Sequence, residues 1–171
     1  ERPEYQAGLA AIEGLTVPIV DENTSEDDAK NNPRLPREQM FQYIFDNLND
    51  AEVCLKDYTP KAKNIPSLGV VYGLKARAYL WLGGFAEGLY DITKYPDVVT
   101  GNAAYKKAAE YARLAITESG ASIMTENEWL NPTSGFNTAN NSWLWYLPQT
   151  AEGITNIVNF VAWRSGEATW G

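Results

Sequence analysis

The chain is 171 residues long, with 14 Lys+Arg against 22 Asp+Glu and a formal net charge of -8. This balance, with no dense Lys/Arg cluster, repels phosphate backbones and anionic lipid, so no nucleic-acid partner is expected. Histidine is absent, which removes Ser-His-Asp triads, Cys-His dyads and imidazole metal ligands; no catalytic residue, metal or cofactor is expected.

In chain order, residues 5–14 read as the end of a helix stopped by Gly14. An extended Leu15–Val20 follows, then the acidic stretch Asp21–Asp28. There Asp21, Asn23 and Ser25 imitate the first ligands of a calcium loop. Glu26 stands where such a loop needs Gly and Asn32 where it needs Glu, so a solvated loop is expected. From Pro36, a first-turn residue, Phe41, Ile44, Leu48, Ala51 and Leu55 share one helical face, with Lys56 at the negative end. Cys54 cannot close an intrachain disulfide and is expected as a small buried hydrophobe. Residues 57–66 read as a linker to Ser67, the N-cap of a second helix carrying Val71, Leu74, Ala78 and Leu82 on one face and ending at Gly83-Gly84. These two helices are expected to pack as an antiparallel pair. Lys75 and Arg77 are expected to reach solvent, and Trp81 to pack. A third helix runs from Asn102, as N-cap, to Ser119, with Tyr105, Ala108, Ala112 and Ala115 inward and Gly120 as terminator.

After residue 120 the helical period ends. Residues 121–171 are rich in Asn, Thr, Gly and Trp, with one strand-like alternation, Trp143–Leu147, that predicts Trp143 and Trp145 on one buried face. Such a loop-rich half suits a ligand site when a rigid scaffold carries it. Six Trp, ten Tyr and five Phe supply flat rings, and rings outside helices can stack on sugars or bases. Trp129, Trp163 and Trp170 sit among Glu, Asn, Arg, Gly and Ser and are the candidate ligand-binding residues. Glu126 and Glu128 are two apart in a loop. That gives no warrant for carboxyls facing one another across a sugar, as glycosidases require.

Tyr79-x2-Leu82-Gly83 followed by Phe85 approximates the opening helix of a tetratricopeptide repeat, with Tyr105…Ala108…Ala112…Ala115 as its partner helix and residues 87–101 inserted between them. Leu74–Gly83 with Tyr105–Ala112 resembles the tetratricopeptide core of the SusD/RagB family. Leu15–Val20 is similar to that family's G-x-V-P-L-V segment. Arg34–Ile44 followed by Asn47–Ala51 is similar to its R-x-P-x-E-V-Y-x-x-I-x-x-D-L-x-x-A, with Asn47 in place of the usual Asp. Gly135-Phe136-Asn137 and Asn141–Trp145 resemble a later stretch of some members.

The resemblance covers nearly the whole chain and implies a mainly α fold of tetratricopeptide-like helical hairpins with an irregular, loop-rich C-terminal half. Residues 1–120 would be the helical scaffold and 121–171 the loop region of one SusD-like domain truncated at both ends. It further implies a surface-exposed outer-membrane lipoprotein, not an enzyme. Such a protein captures a glycan with loop aromatics and delivers it to a SusC-like TonB-dependent transporter. The lipid anchor would lie outside this chain, since Cys54 is not at a mature N-terminus; no membrane contact of the chain's own is expected. Trp129, Trp163 and Trp170 are then candidate glycan-binding residues, although family sites vary and none transfers by motif. The alternative reading is a tetratricopeptide-type module for a protein or peptide partner, with the aromatics in its core.

Overall fold

Ser67 caps the helix on which the fold is built: its hydroxyl accepts from the Val70 amide, satisfying a donor that the first helical turn cannot. In the computed structural model, which describes residues 8, 10–135 and 139–147, the chain is mainly helical. Its bounded helices are α1 (Glu26–Lys30), α2 (Arg37–Leu55), α3 (Leu68–Leu82), α4 (Asn102–Ser119) and α5 (Glu126–Trp129). No strand occurs among the described residues, and an isolated bridge joins Leu15 to Pro36. No helix among them is long and apolar enough to cross a membrane. Two compact units result. One comprises the described residues up to Thr59 with Ser67–Gly120; the other comprises Pro60–Pro66 with the described residues from Ala121 onward.

In the helical unit, α3 packs against both α2 and α4. Phe41 meets Trp81 and Phe45 meets Tyr79, so α2 and α3 run antiparallel. Gly69 lies beside Ser119 and Gly83 beside Tyr105, so α3 and α4 also run antiparallel. Phe41, Phe45, Tyr79, Leu82, Val98, Ala104 and Ala108 form the core. Each large side chain buried there is worth about 1.5–3 kcal/mol of transfer free energy. The small Ala104 and Ala108 let α4 approach closely, and a methyl group at Gly83 would overlap the Tyr105 ring. Rings stack through the centre, Phe45 on Tyr79 at 4.4 Å and Tyr79 on Tyr111 at 5.6 Å.

The connection from α3 to α4 belongs to this core. Val98 is fully buried, and Phe85, Tyr90, Tyr95 and Val99 pack against the cluster. Asp97 Oδ2 accepts from Gln42 Nε2 at 3.3 Å and Asn49 Nδ2 at 3.2 Å, which fastens the connection to α2. Gly101, at φ +65, turns the chain into α4, and Glu87 Oε2 accepts from the first α4 amide, Asn102 N, at 2.7 Å. Gly120 then closes α4 in the left-handed conformation, as its sequence position predicts.

Several residues take other places than the periodicity predicts. On α2, Phe45 is buried and Ile44 is exposed; on α3, Lys75 and Tyr79 are buried and Leu74 is exposed. Both helices carry apolar stripes broader than one contact face, and the neighbouring helices select which part turns inward. Trp81 is exposed where packing was expected, and Cys54 is exposed on α2. On α4 the inward residues are Ala104, Ala108, Tyr111 and Ala115, while Tyr105 lies outward over Gly83. The N-cap of α4 is Gly101, and Asn102 is its first helical residue. Pro36 is the N-cap of α2, its extended backbone bridging to Leu15. In the acidic stretch, Ser25 accepts from Asp28 N and starts the single turn α1. Residues 10–12 are helical, and Gly14 follows at φ +76.

Candidate functional site

The loop unit holds the described candidate, Trp129. Thr125-x-x-Glu128 forms a capping box: Thr125 Oγ1 accepts from the Glu128 amide, and Glu128 Oε2 accepts from the Thr125 amide at 2.7 Å. This builds α5 inside a stretch that the hydrophobic period leaves irregular; the T-x-x-E signature was its available signal. Accepting from the Thr125 backbone and hydroxyl holds the Glu128 carboxyl below its ordinary range. Glu128 is therefore a capping carboxylate. Trp129, the last residue of α5, is 54% exposed. Trp163 and Trp170 lie outside the described residues.

Residues 143–147 form no strand. Lys63 Nζ donates to the carbonyls of Asn140 at 2.7 Å and Trp143 at 2.9 Å, which replaces ladder pairing with side-chain bonds to the backbone. Trp145 is 39% exposed, and its Nε1–H donates to the Asn64 carbonyl at 3.1 Å. Trp143, half-buried, meets Tyr146 edge to face at 5.8 Å. The unit thus presents partly wet aromatic rings on a backbone tied down by polar side chains. Sugars offer C–H faces to such rings.

The helical unit contains a second polar constellation around Lys75, a residue that the sequence predicts in solvent. Lys75 is 1% exposed. Its ammonium pairs with Glu52, donates to Asn49 Oδ1 at 2.7 Å and lies 5.2 Å from the Tyr111 ring centroid. A buried cation needs such partners, because an unpaired charge in a low-dielectric core costs several kcal/mol. Burial first, and then the Glu52 charge, raise the Tyr72 and Tyr111 phenols above their ordinary value; burial does the same to Tyr79. The polar chain Asp97, Asn49, Lys75, Glu52 joins the α3–α4 connection to α2 and α3.

The acidic segment borders a shallow, open cleft of about 590 Å³ lined by Ile19, Asp21, Asp28 and Asn32 among others. Asp21 Oδ1 accepts from Asn23 N at 3.0 Å and Thr24 Oγ1 at 2.8 Å, which lowers its pKa. Glu26 and Asp27 pair with Lys30. Among the described residues no group of carboxylates is gathered as metal ligands. Comparison with protein-family models, curated proteins and solved structures returns no match to this chain.

Proposed function

We propose that this chain is part of a SusD-like, cell-surface glycan-binding protein that captures oligo- or polysaccharide and hands it to a SusC-like TonB-dependent outer-membrane transporter. In this reading α3 and α4 are a tetratricopeptide-like hairpin with residues 87–101 inserted. The chain binds and does not catalyse, and the parent is held at the outer membrane by a lipid anchor. The carrying observation is Trp129, a half-exposed indole on a helix fixed by a reciprocal cap. Stacking on a preorganised ring loses little conformational entropy on binding. The ordered motif set from Leu15 to Trp145 supports the family and, through it, the transporter.

Affinity electrophoresis of the chain in gels containing a panel of polysaccharides tests this. Retardation by at least one glycan is expected, and its loss on combining Trp129→Ala, Trp163→Ala and Trp170→Ala. Retardation that survives the triple substitution overturns the residue assignment; retardation by no glycan overturns the function. A second reading, a tetratricopeptide-type module for a protein partner, is favoured by exposed Leu74 and Leu80 on α3. A glycan-independent complex that Leu80→Glu abolishes would support it.

A further inference from the structure

Trp81 is 63% exposed, yet its ring is held on the core side by Phe41 at 5.2 Å and Phe85 at 6.4 Å. Phe85 in turn meets Tyr90 at 6.3 Å. An indole that meets two tilted rings and is still largely exposed leaves surface on which a ligand ring can stack. Beside it is a charge. Arg37, the first residue of α2, lays its guanidinium over Phe85 with Cζ 4.9 Å from the ring centroid. Among the described residues Arg37 has no carboxylate ion-pair partner, while Lys30 and Lys75 both have one. Most described cations share this lack, but Arg37 is half-buried and stacked on the same Phe85 ring that Trp81 meets. Its planar fork of donors suits a carboxylate bidentately. The two ring distances keep Arg37 Cζ within about 11 Å of the Trp81 centroid, a separation that linked sugar rings can bridge.

We propose that Trp81, Phe85 and Arg37 form a binding corner for an acidic glycan, with one pyranose ring stacked on Trp81 and the carboxylate of a neighbouring uronic acid paired with Arg37. This builds on the glycan-binding reading and adds a site in the helical unit with a charge preference. The chain's net negative charge opposes a polyanion at long range, but salt screens that field beyond a Debye length of about 10 Å. Contact at Arg37 therefore sets the selectivity.

Isothermal titration calorimetry of the chain with oligogalacturonate and with its methyl ester tests the corner, the ester removing charge while keeping the rings. The acid is expected to bind more tightly than the ester. Arg37→Gln should weaken the acid about tenfold, the worth of one charge-assisted hydrogen bond, and leave the ester nearly unchanged. Arg37→Lys should recover part of the loss. Trp81→Ala should weaken both ligands, and Trp81→Phe less so; thermal unfolding shows whether either variant is folded, and the Arg37 pair decides if it is not. Equal binding of acid and ester, or an Arg37→Gln effect that is absent or the same for both, overturns the proposal. If neither oligosaccharide binds but the polysaccharide panel retards the chain, this proposal fails alone; if nothing binds, the glycan-binding reading fails with it.

Discussion

In the helical unit, Phe45, Tyr79 and Tyr111 stack in sequence between three helices, and Tyr79 is almost wholly buried. In the loop unit, Trp129 and Trp145 remain partly in water. The contrast follows from how each backbone is satisfied. Helices saturate their own amides and carbonyls, so side chains are free to pack. The loop backbone needs outside partners, and polar side chains supply them: Asn131 Oδ1 accepts from the amides of Thr133 and Ser134, Asn140 Oδ1 accepts from Ser142 N, and Lys63 holds two carbonyls. In the loop unit, order from hydrogen bonds leaves both rings partly at the surface, where a ligand can reach them; in the helical unit Trp81, at the edge of the packed core, is the counterpart.

The same substitution in the two units tests that difference most strongly. Phe45→Ala should destabilise the helical unit by about 3–5 kcal/mol in urea unfolding, through lost transfer free energy and a cavity. Trp129→Ala should change stability by under about 1 kcal/mol. A similar loss from both would break the comparison.

The buried ion pair comes next. Glu52→Ala leaves the Lys75 ammonium without its carboxylate and should cost about 2–3 kcal/mol, reduced from the fully buried case because the Glu52 side chain is 36% exposed. Lys75→Met, which removes the charge and keeps the volume, should cost under about 1 kcal/mol. Equal costs measured by denaturation would mean that the pair contributes Coulombic stability in its own right.

Alkaline titration should single out three phenols of the helical unit spectroscopically. Tyr72, Tyr79 and Tyr111 have folded pKa values raised above the ordinary 10.0. Their contribution is fully present below that value and is lost as pH rises above it, because the unfolded chain then releases protons that the folded one retains. Three late-ionising phenols should appear in ultraviolet absorbance, coupled to loss of helix.

The smallest effects belong to the α5 cap. Thr125→Ala should cost about 1 kcal/mol locally, seen as faster exchange of the Glu128 amide. Because the Glu128 carboxyl is lowered from 4.5, its share of the cap is present above that value. It fades as pH falls through the lowered one, which an NMR titration of Glu128 would follow.

Local signals were legible where a residue acts on its own backbone. Ser67 as N-cap, Gly120 as terminator and the span of α2 through Leu55 follow from capping chemistry and the helical period. Thr125-x-x-Glu128 was equally legible as a box, although the surrounding composition reads as loop. The exposure of Cys54 and Trp81 was hidden, because a period shows that a stripe exists but not which edge of it meets a neighbour. Lys75 was hidden for a sharper reason: its partners Asn49 and Glu52 lie 26 and 23 residues away on another helix.

The amino-acid order by itself therefore determined a histidine-free, acidic, mainly helical chain, where its three long helices begin and end to within a residue, and where their periodicity stops. Tertiary structure decided which parts of the broad apolar stripes turn inward, that Lys75 could be buried beside Glu52, and that Trp81 and Arg37 both meet the Phe85 ring. Caps and periods act within a few residues, whereas burial, ion pairing and ring stacking depend on which distant segments the packed helices bring together.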